Sequence, residues 1–429
     1  MHLLQAFSVA AALLPALSAA QKYVFAHVVV GDTAAHTTST WENDITLAHD
    51  AGIDAFALNI VSSDPNSSPQ VANAFSAAES LNNGFKLFFS FDYSVTWSAS
   101  DVASYLNQYK GSAAYFTYGS SNLPFASTFE GPDSSGDWSQ GGAIRGSVGD
   151  LFFVPDYTSV GPSGIADKLA DIDGFFSWNA WPAGAADMTD SPDLAWQAAI
   201  NPKPYMMGVA PWFFHSASGG TDWVWRGDDL WADRWNQTLQ VQPEFVEIIT
   251  WNDYGEAHYI GPMGADSEIP DGSGQFDANM PHDSWRDFLP YYIATYKGNT
   301  FDITRDQMQY WYRTAPAAGG QECQVINSPD PSNPGSDVNS VVQDNIFFSA
   351  LLTSDATLTV QIGSGTPVPF SGVAGINHFS TPFSGQTGAP VFSIVRDNVT
   401  VNNGTGTPIT STTSLSSGCT NYNAWVGSF

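Results

Sequence analysis

The chain is poor in cysteine and in basic residues, and both shortages exclude classes of protein. Its 429 residues contain only Cys323 and Cys419, too few for a small disulfide-rich scaffold. Lysine and arginine total 13 against 42 acids, which gives a net charge of −29. A surface of this sign repels nucleic acid and anionic membranes, so we expect neither as a partner.

Long apolar runs are also scarce, and the only long one has the features of an export signal. Residues 1–20 carry an apolar run over 7–17 and end in small residues at 18–20, which suit cleavage by a signal peptidase. No later segment approaches the ~18 uninterrupted apolar residues that span a bilayer. The sequence therefore predicts a signal peptide over 1–20 and a secreted, extracellular protein.

Two further features agree with passage through a secretory pathway. In an oxidising compartment Cys323 and Cys419 are expected to pair, although two separate buried thiols are the alternative. Sequons of the type Asn-x-Ser/Thr predict N-glycosylation, although each triplet also arises by chance. The four predicted positions are Asn66, Asn236, Asn398 and Asn403.

Several catalytic motifs are absent. No glycine-rich dinucleotide loop follows an apolar run, no Gly-x-Ser-x-Gly elbow occurs, and the eight histidines lack the spacings of common zinc sites. These absences disfavour dinucleotide-dependent enzymes, serine esterases and zinc hydrolases. We therefore expect no cofactor and no metal, and we interpret His27, inside an apolar run, as a hydrogen-bonded core or pocket residue.

The sequence does contain eight short apolar runs that alternate with amphipathic segments. Nearly continuous apolar runs are typical of parallel strands that are covered on both faces. They occupy residues 23–30, 55–61, 86–91, 125–129, 151–155, 174–178, 204–210 and 245–251. Eight such units predict an α/β fold, a (β/α)8 TIM barrel. The missing dinucleotide loop disfavours the rival, an open doubly wound sheet.

The composition changes once along the chain, after Thr314. Ala-Pro-Ala-Ala-Gly-Gly is followed by a stretch rich in Ser, Thr, Gly and Val, with alternating apolar residues at 346–352 and 357–362. This pattern predicts an antiparallel β-sandwich. We therefore predict a catalytic domain over 21–315 and a β-sandwich domain over 320–429 that packs against it.

Acids and aromatic residues concentrate just after the predicted strands, where a barrel of this type carries its functional loops. Acids follow five of the eight runs: Asp32, Asp92, Glu130, Asp156 and Asp253. Helix capping also selects Asp at such positions, so the concentration is the signal, and capping or rim packing stays open for single residues. The predicted substrate-binding residues are Asp92, Glu130, Asp156, Trp178, Asn179, Trp212, Trp251, Asn252 and Tyr254.

Asp253 and Glu256 stand three residues apart beyond the last strand. Glycoside hydrolases protonate the bridging oxygen with one carboxylic acid, while a second carboxylate activates water or attacks the anomeric carbon. Three residues span at most ~10 Å, so the two carboxyls can reach either separation that these mechanisms use. Gly255 permits a sharp turn between them. By spacing alone, capping acids or surface acids remain the alternative.

The segment around this pair resembles a known family. The run VEIITWNDYGE at 246–256, followed by AHYIGP at 257–262, is similar to the signature of glycoside hydrolase family 71, the fungal α-1,3-glucanases or mutanases. Shorter matches extend along nearly the whole chain, among them STFEG at 127–131 and FSWNAWP at 176–182. Ala257 departs from the Ser that we expected there, and the acid pair is unaffected.

The resemblance implies a (β/α)8 barrel, a following β-sandwich, and endo-type hydrolysis of α-1,3-glucosidic bonds with inversion. It assigns Glu256 as general acid and Asp253 as general base, while the reverse assignment stays open because sequence does not show which carboxyl is desolvated. The expected partner is α-1,3-glucan, and a monomer is expected. Two alternatives remain: an α-mannosidase similar to the family 99 enzymes, and a non-catalytic glycan-binding wall protein.

Overall fold

The computed structural model describes residues 21–216, 221–321 and 323–429, so the predicted signal peptide lies outside the described residues. Eight strands form one parallel sheet, and each coincides with a predicted apolar run. They are β1 Tyr23–Val29, β2 Ala55–Ile60, β3 Lys86–Asp92, β4 Leu123–Phe129, β5 Phe152–Phe153, β6 Phe175–Ser177, β7 Tyr205–Val209 and β8 Phe245–Ile248.

The order of the strands shows that this sheet is curled. Neighbours follow the order β5-β4-β3-β2-β1-β8-β7-β6, so β1 and β8, the first and last strands of this sheet in sequence, lie side by side in its middle. At the two ends, β5 and β6 meet through a single parallel bridge between Asp156 and Phe176. The predicted α/β fold around a parallel sheet is confirmed as a curled, TIM-barrel-like sheet. A continuous ladder between β5 and β6 is not formed.

Aromatic rings fill the interior of the curled sheet at the amino ends of the strands. Phe25, Phe88, Phe125 and Phe245 come from four different strands, and their ring centroids lie 4.8–5.8 Å apart. All four rings are fully buried. Because this end is packed, the carboxyl ends of the strands and the loops that follow them form the accessible mouth.

Helices cover the outside of the sheet. Those of eight or more residues are α1 Thr38–Asp50, α2 Ser67–Leu81, α3 Ala99–Tyr109, α4 Ser191–Ile200, α5 Leu230–Val241 and α6 Leu289–Tyr296. Shorter helical segments are Ser135–Trp138, Ala143–Val148, Gly161–Gly164, Gly274–Asp277 and Val338–Val341. Helix α1 begins with a capping box between Thr37 and Thr40, and it buries Trp41, Ile45 and Ala48 at helical spacing. Within the described residues, no helix has the length and apolar character needed to cross a membrane.

Two four-stranded antiparallel sheets follow. Their strands are β9 Gln307–Tyr312, β10 Asn345–Leu352, β11 Ala356–Ile362, β12 Val368–Gly372, β13 Gly375–Pro382, β14 Pro390–Arg396, β15 Val399–Thr405 and β16 Trp425–Ser428. The sheet orders are β13-β10-β9-β16 and β12-β11-β14-β15, and both sheets contribute to one apolar cluster. Strand β9 lies before the predicted boundary at residue 315, so the antiparallel part begins earlier than the change in composition.

The first antiparallel sheet is packed on both faces. Along β9, Met308 and Tyr310 join the cluster between the two antiparallel sheets, whereas Trp311 joins the core of the parallel sheet. The indole of Trp311 donates to the Asp228 carbonyl at 2.7 Å, and its ring lies 4.8 Å from that of Trp285. Alternation along one strand therefore joins the two parts of the molecule.

The C-terminal segment is tied back by a disulfide. Cys323 and Cys419 are bonded, with Cα atoms 5.4 Å apart and a sequence separation of 96. Just beyond Cys419, the Tyr422 carbonyl accepts the indole N–H of Trp212 at 2.8 Å. The segment that leads into β16 thus contacts the parallel-sheet part directly.

Candidate active site

The loop after β8 carries Asp253 and Glu256 on a closed turn. The backbone N–H of Trp251 donates to the His27 carbonyl at 2.7 Å, which anchors the start of the loop to β1. Thr250 exchanges two backbone hydrogen bonds of 3.0 Å, one with His258 and one with Ile260. The loop therefore folds back on itself, and residues 253–256 form its tip.

The two acids come together at this tip, as the spacing predicts. Asp253 Oδ1 accepts the backbone N–H of Glu256 at 3.0 Å, and Thr250 Oγ1 accepts the N–H of Asp253 at 2.8 Å. The side chains are 23 % and 27 % exposed, so both remain accessible. One oxygen of each carboxylate lies within 4.8 Å of the other. The pair is thus preorganised by backbone donors at the mouth of the curled sheet.

Burial raises the pKa values of both acids, and that of Glu256 is the higher. It raises the pKa of Asp253 to about 6, with a further rise from the Glu256 charge, while the neighbouring His258 opposes the shift. Burial also raises the pKa of Glu256 to about 7. A carboxylate in an enclosed site holds its proton to higher pH because its charged form loses solvation. Glu256 therefore keeps a proton at a pH where Asp253 begins to ionise.

His258 lies beside both acids, although the sequence analysis gave it no role. Its Nε2 is 2.8 Å from Glu256 Oε2 and 3.8 Å from Asp253 Oδ2, and its Nδ1 is 3.1 Å from Thr250 Oγ1. Burial lowers the pKa of His258 to about 4, so the ring is neutral near pH 6. The sequence does contain a signal for His258 as a site residue. It stands two residues after a candidate acid, in the loop that follows β8.

The same three side chains are spaced as a metal site would need. Asp253, Glu256 and His258 each offer one ligand atom, and these atoms lie within 4.8 Å of one another. The 2.8 Å contact between His258 and Glu256 is a hydrogen bond, and hydrolysis by a carboxylate pair requires no metal. We therefore infer no metal ligation from this arrangement.

A cleft of about 350 Å³ opens at the carboxyl ends of β4, β5 and β6. It is lined by residues that include Glu130, Asp156, Trp178, Asn179 and Trp181. The ring of Trp181 lies 5.3 Å from that of His258, which connects the cleft to the acid pair. Four predicted substrate-binding residues thus line one cavity: Glu130, Asp156, Trp178 and Asn179.

The two acids of this cleft differ in their partners. Both oxygens of Glu130 accept hydrogen bonds from Ser159, one from its backbone N–H at 2.9 Å and one from its hydroxyl. Asp156 is fully buried, and its Oδ1 accepts two bonds from Thr158, whereas its Oδ2 has no partner among the described residues. Burial and the Glu130 charge raise the pKa of Asp156 to about 7. Asp156 therefore keeps its proton up to near-neutral pH, with Oδ2 enclosed at the wall of the cleft.

A second cleft of about 450 Å³ continues the first, with which it shares Glu130 and Ser159. Tyr93 and Trp97 are on its wall. Gly131 is required at the join, because a Cβ there would lie 2.5 Å from the ring of Tyr93. Asp92, a predicted sugar ligand, is not among the residues that line either cleft. Its Oδ1 accepts the N–H of Ser94 at 2.8 Å, so it shapes the loop.

Two of the predicted tryptophans are buried away from the clefts, contrary to the expectation that they contact sugar. Trp251 is 1 % exposed, and its indole donates to Asp44 on α1 at 3.2 Å. Trp212 is also 1 % exposed and donates to the C-terminal segment at Tyr422. Both rings pack on the side of the loops that faces away from the clefts. Trp251 points to the helix layer, and Trp212 points to the C-terminal part.

Asn252 and Tyr254 are also buried, and both have protein partners. The Asn252 side chain accepts from the N–H of Val29 and donates to its carbonyl, both at 2.9 Å. The Tyr254 hydroxyl donates to the Pro262 carbonyl at 2.9 Å. Asn252 holds the loop after β8 against the end of β1, and Tyr254 closes that loop on itself, so their observed contacts are with protein and not with the clefts.

Two further buried acids lie within the influence of the Asp253 charge. Burial and the Asp253 charge raise the pKa of Asp32 to about 8 and that of Asp277 to about 8. Asp277 is 1 % exposed, and its Oδ1 accepts an N–H of Asn423 in the C-terminal segment at 2.9 Å. Asp32 follows the first strand and was visible as a strand-end acid. Asp277 ends the short helix Gly274–Asp277, where the sequence offered no signal.

Comparison with known proteins identifies the family of this chain. The family model described as glycosyl hydrolase family 71 matches residues 20–429. A glucan endo-1,3-alpha-glucosidase of Schizosaccharomyces pombe is 35 % identical in an alignment of length 427 that covers 96 % of this chain and 95 % of that protein. A mutanase of Penicillium rubens is 36 % identical in an alignment of length 425 that covers 95 % of this chain and 88 % of that protein.

One solved structure, the GH99 endo-alpha-mannosidase of Bacteroides thetaiotaomicron, overlaps 64 % of this chain and 98 % of its own. Its identity is 13 % and its TM-score 0.46, which supports no functional assignment. The family model, in contrast, covers nearly the whole chain, and two relatives exceed 30 % identity over almost their full length. The predicted family resemblance is thus confirmed: the chain belongs to glycosyl hydrolase family 71.

Proposed function

We propose that this protein is a secreted endo-hydrolase of the α-1,3-glucosidic bonds of α-1,3-glucan, such as mutan or fungal cell-wall glucan. The observation that carries the proposal is the pair Asp253 and Glu256, which lies beside an aromatic and acidic groove with pKa values of about 6 and about 7. The names of the two relatives support the linkage. Two adjoining clefts that share Glu130 and Ser159 suit a polymer bound along its length.

In this proposal Glu256 is the general acid and Asp253 the general base. Glu256 has the higher pKa, so it can hold the proton that the bridging oxygen receives while Asp253 is ionised. Asp253 accepts a backbone N–H from Glu256, and such a bond favours its charged form. Glu130, Asp156, Trp178 and Asn179 would bind hydroxyls and ring faces of the glucan.

Inversion of the anomeric centre is proposed from the family resemblance alone. Inverting enzymes usually hold their carboxyls about 6.5–9.5 Å apart and retaining enzymes about 5–5.5 Å apart. An oxygen of Asp253 and one of Glu256 lie within 4.8 Å here, so this separation does not favour inversion. Proton NMR of the first products tests the proposal, which expects β-anomers, whereas α-anomers would assign retention.

Further proposals concern the organisation of the chain. We infer that the curled sheet closes as a (β/α)8 barrel, with catalytic and β-sandwich domains near the predicted bounds 21–315 and 320–429. N-glycosylation is proposed at the four sequons, of which Asn236, Asn398 and Asn403 are exposed and Asn66 is partly buried before α2. The protein is proposed to act outside the cell as a monomer.

Replacement of each acid tests the central proposal. Asp253→Asn and Glu256→Gln keep the size of the side chains, and each should lower hydrolysis of α-1,3-glucan by ~10²–10⁴-fold. Asp302→Asn, at an exposed acid before the antiparallel sheets, is the matched control and should keep wild-type activity. Reducing-end release is the measurement, with thermal unfolding as the check on folding. Near-full activity in both site variants would refute the proposed function.

A further inference from the structure

His258 is enclosed between the two catalytic candidates and a wall of aromatic rings. The side chain is 0 % exposed, and its ring centroid lies 5.3 Å from that of Trp181 and 5.9 Å from that of Phe213. A ring packed in this way has one orientation, so the direction of each ring nitrogen is fixed. Nε2 points to Glu256 Oε2 at 2.8 Å, and Nδ1 points to Thr250 Oγ1 at 3.1 Å.

The hydrogen bonds around Thr250 favour one tautomer of this histidine. Thr250 Oγ1 already accepts the backbone N–H of Asp253 at 2.8 Å, so its own proton is available for His258 Nδ1. Nδ1 then accepts, and the neutral ring carries its proton on Nε2. This assignment follows from the heavy-atom network, in which each donor meets one acceptor. Nε2–H is therefore the donor to Glu256.

We propose that His258 is a positioning residue which donates Nε2–H to Glu256 Oε2 and thereby keeps the acidic proton of Glu256 on Oε1. The inference rests on the proposed function and deepens it. With Oε2 engaged as an acceptor, Oε1 is the oxygen left to face the bridging oxygen of the glucan. The arrangement is a form of preorganisation, since the carboxyl reaches the substrate with its proton already on the correct side.

The proton inventory of the step balances. Glu256 Oε1–H transfers its proton to the bridging oxygen as the bond from that oxygen to the anomeric carbon breaks and its electron pair stays on the oxygen. A water molecule adds to the anomeric carbon, and its proton passes to Asp253. The new carboxylate of Glu256 keeps the Nε2–H bond from His258, and a donor to a developing anion is worth more than one to a neutral acid.

The charged surroundings of His258 keep it in this role. The titratable groups that act on its ring are Asp253, Glu256 and His27, and the remaining neighbours are Trp181, Phe213 and Thr250. Burial dominates these influences and disfavours the doubly protonated ring. His258 therefore donates one hydrogen bond without supplying a proton of its own.

Variants of His258 on two substrates test the inference. His258→Met removes the donor, whereas His258→Gln keeps an N–H near the position of Nε2. His258→Met should lower kcat on α-1,3-glucan by ~10²-fold with little change in KM, and His258→Gln should recover part of that loss. On an α-1,3-oligoglucosyl fluoride, whose leaving group needs no proton, we expect less than a ~5-fold loss for either variant.

His378 provides the matched control, because it has the same pattern of partners elsewhere. Its Nδ1 is 3.0 Å from a hydroxyl, that of Ser349, and its Nε2 is 2.7 Å from a carboxylate, that of Asp229. His378→Gln should leave the ratio of glucan to fluoride activity at the wild-type value. Equal losses on both substrates in His258→Met would overturn the inference, because a purely structural defect affects both reactions alike.

A second pair of variants decides the matter if His258→Met does not fold. Thr250→Val removes the hydroxyl that sets the tautomer, and Thr250→Ser keeps it. We expect a selective loss on glucan for Thr250→Val alone, and wild-type ratios in both would contradict the inference. Failure of the proposed function can be distinguished from failure of this inference, since the proposed function fails only if Glu256→Gln keeps full activity. If Glu256→Gln is inactive while both His258 variants act like wild type, only the role of His258 is wrong.

Discussion

At the scale of single residues, Asp253 and Glu256 differ in what surrounds their oxygens. Asp253 accepts a backbone N–H and lies near His258, and both influences favour its ionised form. Glu256 accepts one hydrogen bond, from the side chain of His258, and burial dominates its pKa. Aspartate is the stronger acid of the two types, and His258 and a backbone donor oppose the effect of burial at Asp253, so the pKa of Asp253 stays below that of Glu256.

This difference predicts the pH dependence of activity. Below about pH 6 Asp253 becomes protonated and loses its function as a base, and above about pH 7 Glu256 loses the proton that it must donate. We expect kcat/KM on α-1,3-glucan to follow a narrow bell with its maximum between these values, titrating as a coupled pair. Initial rates from pH 4 to 9 provide the measurement. A profile that stays flat from pH 5 to 8 would contradict it.

At this scale, the success of each prediction from sequence depended on the direction in which the side chain points. The acid pair was found because its residue types and spacing carry the chemistry themselves. Trp251 and Tyr254 were predicted to contact sugar and are buried, since neighbouring loop positions point to different sides and the sequence does not say which. Asp277 was missed because the fold brings it to the site through Asn423, a contact that spans 146 residues.

At the scale of elements, the segment between the disulfide and β16 supports the catalytic loop. The side-chain amide of Asn423 donates to Asp277 at 2.9 Å, and its oxygen Oδ1 lies 3.0 Å from His282 Nε2. His282 in turn has Nδ1 2.9 Å from the Tyr259 carbonyl, at the end of the catalytic loop. A short chain of buried polar contacts therefore runs from the C-terminal segment to the site, while Asp277 Oδ2 has no partner among the described residues.

Loss of the disulfide should therefore reduce stability and loosen the site. Cys323→Ser combined with Cys419→Ser releases a closed loop that spans 96 residues, and such a change typically costs about 2–4 kcal/mol. We expect a lower midpoint of denaturant unfolding and earlier loss of activity on heating. Ser417→Ala, next to the bridge but outside it, is the control. Unchanged unfolding in the double variant would show that the segment is held without the bond.

The sequence predicted all eight strands of the parallel sheet and four of the eight strands of the antiparallel part. The start of that part was predicted too late, because β9 reads QMQYWY, which ends in three aromatic residues and does not alternate over its whole length. Both of its faces are buried, one against each part of the molecule, so the pattern of a half-exposed strand does not arise. The Pro and Gly residues that marked the boundary come after it.

At the scale of the whole molecule, burial holds several acids in their protonated form. Besides the catalytic pair, the pKa of Asp156 is raised to about 7 and that of Asp277 to about 8. In the unfolded chain these groups titrate near ~4. Between about pH 4 and pH 7, the folded state therefore binds more protons than the unfolded state, and its stability falls as pH rises. Asp306, whose pKa Arg396 lowers to about 2, acts in the opposite direction, but its contribution is complete above ~pH 4.

We therefore expect this enzyme to be more stable in mildly acidic solution than in alkaline solution. The melting temperature should fall steadily from pH 5 to pH 8, because the protons held by the buried acids are lost only from the folded state in this range. Thermal unfolding at constant ionic strength measures the slope. Asp277→Asn removes one such group and should flatten it, whereas Asp302→Asn should leave it unchanged. A melting temperature that rises toward pH 8 would contradict the expectation.

Strand β9 and the residues before β16 carry a consequence for protein engineering. Trp311 lies in the core of the parallel sheet, and the Tyr422 carbonyl accepts a hydrogen bond from Trp212. Each part of the chain therefore covers apolar and polar groups of the other. A truncated catalytic half would expose those apolar contacts to water and leave the Trp212 donor without its acceptor. Unlike a binding module on a flexible tether, this C-terminal half cannot be exchanged as a cassette between enzymes.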